Sequence, residues 1–64
     1  QGSVRHRDAT VTGRISRTAV GADAVVAGNV TDSVLLAGAV VGEEEVLQRA
    51  IRWIAAGEQQ TLQL

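Results

Sequence analysis

With 64 residues the chain is one domain at most, and a domain this small buries only about 60% of the surface its unfolded form exposes. It has no cysteine, one histidine (His6) and a net charge of -1, which excludes a disulfide framework, a Cys/His metal centre and the electrostatic footprint of a nucleic-acid binder. Small domains without such staples lean on partner chains, so oligomerisation is the expected source of stability. Trp53 is the only aromatic residue, and Phe, Tyr and Met are absent. The core must therefore come from Val, Ala, Leu and Ile, thin side chains that suit closely stacked backbones.

Residues 1–9 read as a flexible basic arm, with Arg5, His6 and Arg7 in succession and little apolar content. Together with Arg14 and Arg17 they make the early chain basic, whereas Glu43, Glu44 and Glu45 lie together later. A solvated arm is expected rather than a phosphate site. The polar start carries no secretory signal. The longest apolar stretch, Val34 to Val41, is far short of a membrane span. No membrane partner is expected, and the cytoplasm is the default compartment.

Residues 10–42 form a Gly/Val-rich β-repeat segment. The pattern aliphatic, small, Gly, any, aliphatic recurs in Val11-Thr12-Gly13-Arg14-Ile15, Val26-Ala27-Gly28-Asn29-Val30 and Leu36-Ala37-Gly38-Ala39-Val40. Beneath it Ile15, Val20, Val25, Val30, Leu35 and Val40 follow one another at an unbroken spacing of five. That spacing fits neither a helical face nor a long alternating strand. It fits short strands separated by corners, each contributing one inward aliphatic residue to a stacked ladder. Gly28-Asn29, with glycines 13, 21, 38 and 42, are expected to supply the positive φ at those corners. Asp23 and Asp32 suit turns. The alternative is an ordinary β-meander, in which alternation buries Ala24 and Val26 and turns Val25 outward.

Residues 43–57 predict an amphipathic helix. The three glutamates suit a helix N-terminus, and Val46, Leu47, Ala50, Ile51, Ile54 and Ala55 make one apolar face bordered by Trp53. Glu45 and Arg49 form an i,i+4 pair, and Gly57 is a natural helix stop. The expected fold class is thus mainly β with one C-terminal helix, short solenoid-like repeats followed by the helix. Residues 58–64 are a polar tail, a short strand or frayed. Leu47, Ile51, Trp53 and Ile54 are the expected interface residues, because a lone amphipathic helix needs something to cover its apolar face.

The residues from Val20 to Ile51 carry a family resemblance. Val20-Gly21-Ala22-Asp23-Ala24-Val25, Val30-Thr31-Asp32-Ser33-Val34-Leu35, Gly38-Ala39-Val40-Val41-Gly42-Glu43, and Val46-Leu47 with Ala50-Ile51 resemble the hexapeptide-repeat left-handed β-helix. More narrowly, they resemble the C-terminal tails of bacterial sugar nucleotidyltransferases. The match covers about half the chain, and the spacing is mostly five where that family keeps six. Bactofilin-like filament solenoids and short repeats on bacterial signalling proteins share the local pattern. In nucleotidyltransferases catalysis sits in a separate nucleotide-binding domain, so the resemblance implies oligomerisation and transfers no functional residue.

No catalytic, cofactor or metal site is expected. Ser3, Ser16 and Ser33 have only His6 as a histidine base, in an arm that does not position it. Asp8, Asp23 and Asp32 are isolated, and consecutive glutamates on a helix point different ways. The glycines form neither GxGxxG nor a P-loop, and a small-molecule ligand is not expected. The expected function is a non-catalytic β-repeat module that self-associates through its β segment and helix. The alternative is the C-terminal β-helix fragment of a sugar nucleotidyltransferase or acyltransferase.

Overall fold

A computed structural model describes residues 2–64. The chain winds into a three-faced β-solenoid. The first coil contains β1 (Val4–Arg5), β2 (Thr10–Val11) and β3 (Arg14–Ser16), and the second β4 (Ala19–Val20), β5 (Val25–Val26) and β6 (Asn29–Thr31). The third contains β7 (Val34–Leu35), β8 (Val40–Val41) and β9 (Val46–Gln48), and a hairpin of β10 (Ala50–Ala55) and β11 (Glu58–Gln63) follows. Like strands stack in parallel, giving sheets β1-β4-β7-β10-β11, β2-β5-β8 and β3-β6-β9. The repeat is read directly from side chains that bond to the next coil. Thr18 N–H donates to Ser3 Oγ 15 residues away, and Ala50 N–H to Ser33 Oγ 17 residues away. Three faces of five residues therefore make a coil, and the last coil is two residues longer.

The core is a set of thin columns running through the coils. Val11, Val26 and Val41 stack on one face, Ile15, Val30 and Leu47 on another, and Val20 on Leu35 on the third. Ala24 and Ala39, each one residue before its strand, are fully buried between them. Small residues are required where coils approach most closely. At Gly28 an added Cβ would collide with the backbone carbonyls of Gly42 and Glu45, and at Gly13 with those of Ala27 and Gly28.

The unbroken five-residue ladder needs correction. Val20, Val30 and Leu35 point inward as expected and Ile15 is half-buried, but Val25 is 41% exposed and Val40 43%, while Val26 and Val41 are fully buried. The corners are unequal. From Val20 the inward residue comes six places later, then four, then five, so the average is five while the phase slips on the second face. There the turn closed by Ala24 N–H on Gly21 O is wider, and Asp23 adopts a φ of 60° within it. Short-range alternation then buries Ala24 and Val26 together, as the meander reading has it locally, although the strands belong to a solenoid.

The predicted C-terminal helix is not present: the described residues contain no helix at all. Glu43 and Glu44 instead form the two-residue insertion of the third coil, in a turn where Glu45 N–H donates to Gly42 O at 3.1 Å. Val46–Gln48 then pairs with β6, and Ala50–Ala55 with β7. The apolar positions satisfy helical spacing, but two waiting parallel strands offer a complete hydrogen-bond ladder and a core to extend, and Val, Ile and Trp favour strands. Gly57, taken as a helix stop, has a φ of 78° beside Ala56 at 53°. Positive φ at both central residues is the geometry of a two-residue type I′ hairpin turn.

Candidate functional site

The two ends of the solenoid differ. Within it, Val25 N–H donates to Ala39 O and Ala27 N–H to Val41 O, both at 2.9 Å. In the third coil the corresponding donors have no further coil to meet, and side chains replace it. Val40 N–H donates to Gln59 Oε1 and Gly42 N–H to Glu45 Oε1, each at 2.9 Å. The acceptors are covered too. Gly38 O takes Gln59 Nε2, Val40 O takes Arg52 Nη1, and Gln48 O and Arg49 O take Gln63 Nε2. The hairpin is therefore a cap, and Ile54, although exposed, lies beside Gly38.

Arg52 is the centre of that cap. It occupies the inward column of Val20 and Leu35, and its guanidinium bends over the end of the core with a side chain only 11% exposed. It donates to Glu45 Oε1 at 2.8 Å and to Thr61 Oγ1 at 3.0 Å. The Arg52 hydrogen bond, joined by that from Gly42 N–H, holds the Glu45 carboxyl below its usual range.

Among the described residues no comparable side-chain cap is formed at the other end. β1, β2 and β3 are edge strands, and Ala9, Val11 and Ile15 are only partly buried against the core. Arg5 aligns with Val20 in the same inward column that Arg52 ends, but it is exposed. The ion pairs of permanently charged side chains among the described residues are Arg17–Asp32 and Glu45–Arg52, so Arg5, Arg7 and Arg14 have no ion-pair partner among these residues.

One corner forms a charged column. Arg17, Asp32 and Arg49 all adopt left-handed φ, at 49°, 53° and 49°, and Arg17 clasps Asp32 through Nε and Nη2. That hydrogen bond chiefly holds the Asp32 carboxyl below its usual range, with Arg49 adding a smaller attraction. Inside the same corner Thr18 and Ser33 are buried, their hydroxyls donating to Ser16 O and Thr31 O at 2.8 Å. The corner is thus a structural device, and the buried serine has no base beside it.

The outer face of the five-stranded sheet carries a continuous apolar row. Val4, Ala19, Val34, Ile51 and Leu62 stand in register across all five strands. Val4 is 70% exposed, Leu62 52% and Val34 37%. Alternation places Leu36 and Trp53 on the same side, one row further along. A shallow groove of about 420 Å³ marks the β3-β6-β9 face, lined by the outward residues Arg14, Ser16, Asn29, Thr31, Val46 and Gln48. It contains neither a carboxylate nor an imidazole.

The structure separates the four expected interface residues. Ile51 and Trp53 lie on the apolar outer face, Ile54 is exposed beside Gly38, and Leu47 is buried in the core. His6 lies at an exposed turn, where its Nδ1 accepts the Asp8 N–H at 3.0 Å. No group of three or more metal-ligating side chains comes together among the described residues, and no helix is long and apolar enough to cross a membrane. Reading the chain as a helix hid the outer row, because Leu62 joins Ile51 only through hairpin register. Comparison with protein-family models, curated proteins and solved structures gives no match.

Proposed function

We propose that the chain is a non-catalytic β-solenoid assembly module that associates with copies of itself through the outer face of its five-stranded sheet. The observation that carries this reading is the continuous row Val4–Ala19–Val34–Ile51–Leu62, flanked by Leu36 and Trp53. Monomeric proteins seldom leave so contiguous an apolar strip in water, and aromatic residues are favoured at contacts between chains. The hairpin cap argues against growth by adding coils at the C-terminal end, and the apolar row favours side-by-side association of the sheet faces. Light scattering tests it. The native chain is expected above monomer mass, and Val34→Glu and Leu62→Glu are expected to be folded monomers. A native chain that is monomeric at every concentration would refute it. Hydrolase or transferase turnover abolished by His6→Ala would refute the non-catalytic part.

The narrower reading is the C-terminal β-helix of a sugar nucleotidyltransferase or acyltransferase. Three-faced parallel coils support it, and faces of five residues, where that family keeps six, count against it. It assigns the same assembly role to these residues.

A further inference from the structure

We propose that the groove on the β3-β6-β9 face binds an acidic polysaccharide, which lies along the solenoid axis with a carboxylate on Arg14 and its hydroxyls on the neighbouring polar side chains. The first ground is geometry. Strand register sets two outward rows, Arg14–Asn29–Val46 and Ser16–Thr31–Gln48. Neighbours within a row are about 4.8 Å apart, and the two rows about 6–7 Å apart. With Ile15 and Val30 between them they line a shallow trough of about 420 Å³, within the roughly 300–1,000 Å³ of ligand sites. The trough crosses all three strands and repeats from coil to coil, which suits a chain-like ligand.

The second ground is that the polar side chains of the trough have no work within the fold. Elsewhere Thr18, Ser33, Arg52, Gln59 and Gln63 each hydrogen-bond to backbone. The side chains of Arg14, Ser16, Asn29, Thr31 and Gln48 make no hydrogen bond among the described residues. The chemistry of these five groups selects the ligand. Hydroxyl and amide side chains both donate and accept, and the ligand groups that use both capacities are hydroxyls. A guanidinium only donates and pairs best with a carboxylate or similar anion. Arg14 has no ion-pair partner, and neither does Arg49, one residue beyond Gln48. Glu45, one residue before Val46, is already held by Arg52 and the Gly42 N–H. No aromatic residue lines the trough to stack a base, which disfavours nucleic acid. The trough and the apolar outer face are on different sheets, so this binding does not require self-association.

The test is an NMR titration of the whole isotope-labelled 64-residue chain with oligogalacturonate. Two comparison probes are a neutral maltooligosaccharide of equal length and a polyglutamate with the same number of carboxylates. Oligogalacturonate is expected to shift the backbone amides of residues 14–16, 29–31 and 46–48, and to bind at least about tenfold more tightly than either comparison probe. Arg14→Gln is expected to weaken it by about tenfold or more and Asn29→Ala by about threefold. Both side chains are exposed, so the circular dichroism spectrum is expected to be unchanged. Arg7→Gln removes an equal charge outside the trough and is expected to have no effect. Absence of shifts at the three strands, equal affinity for polyglutamate or the neutral sugar, or equal weakening by Arg7→Gln and Arg14→Gln would overturn the proposal.

Discussion

Gln59 Oε1 accepts the Val40 N–H at 2.9 Å, the place that Ala39 O takes for Val25 one coil earlier. A side chain thus stands in for a missing strand, and the same amide donates to Gly38 O at 3.2 Å. Gln59→Ala removes both bonds and opens the β8 edge. It is expected to lower stability by about 1–2 kcal/mol, at roughly 1 kcal/mol per bond, measured by urea denaturation. Unchanged stability would mean that the hairpin does not act as a cap.

The slip of phase on the second face makes adjacent valines unequal. Val26→Ala, at a fully buried position, is expected to cost about 1–3 kcal/mol. Val25→Ala, at an exposed one, is expected to stay within about 0.5 kcal/mol of the native chain. Equal losses in denaturant titrations would restore the unbroken ladder.

Glycines differ in the same testable way. At Gly28 a methyl group meets carbonyl oxygens that cannot move without breaking the coil contact, so Gly28→Ala is expected to cost about 3 kcal/mol or more, or to prevent folding. At Gly57 there is open space and only the positive φ of 78° to satisfy, so Gly57→Ala is expected to cost about 1–2 kcal/mol. Thermal melts of the two variants separate these causes.

The ion pairs give a pH dependence of definite sign. Asp32 and Glu45 both lie below their ordinary values of 3.8 and 4.5 in the folded chain. A carboxylate depressed by folding stabilises fully above its unfolded value and ceases to do so as pH falls through its folded one. Stability is therefore expected to fall progressively on acidification below about pH 4.5. Glu45→Gln is expected to be less stable than the native chain at neutral pH and to lose less on acidification. An equal acid loss in Glu45→Gln would remove Glu45 from the account.

The solenoid could be read from the sequence because its period is written in residue type: aliphatic residues recur at an average of five, and Gly13 and Gly28 mark where coils touch. Its phase could not. Of the five glycines expected at corners only Gly38 adopts positive φ, and beside the expected turn residues Asp23 and Asp32 the chain uses Arg17 and Arg49, although arginine carries no turn signal. The C-terminal segment reads as a helix for a related reason. Val46, Leu47, Ala50, Ile51 and Ile54 satisfy helical spacing within themselves, while the strands that claim them lie 17 residues away, beyond any local window. Ile51 and Trp53 are marked by the apolar face of a helix that does not form, and the strands instead place them on the outer face of the five-stranded sheet. No local pattern marks Leu62, because only the hairpin register brings it beside Ile51.

Trp53 is the sole aromatic residue and stands one row from Ile51 on the outer face, so its fluorescence across a dilution series tests the central claim of self-association most directly. The account predicts a blue-shifted emission at high concentration that moves to longer wavelength on dilution as the faces separate, with Val34→Glu showing the long-wavelength spectrum throughout. A spectrum independent of concentration and identical in Val34→Glu, from a chain of monomer mass, would contradict it.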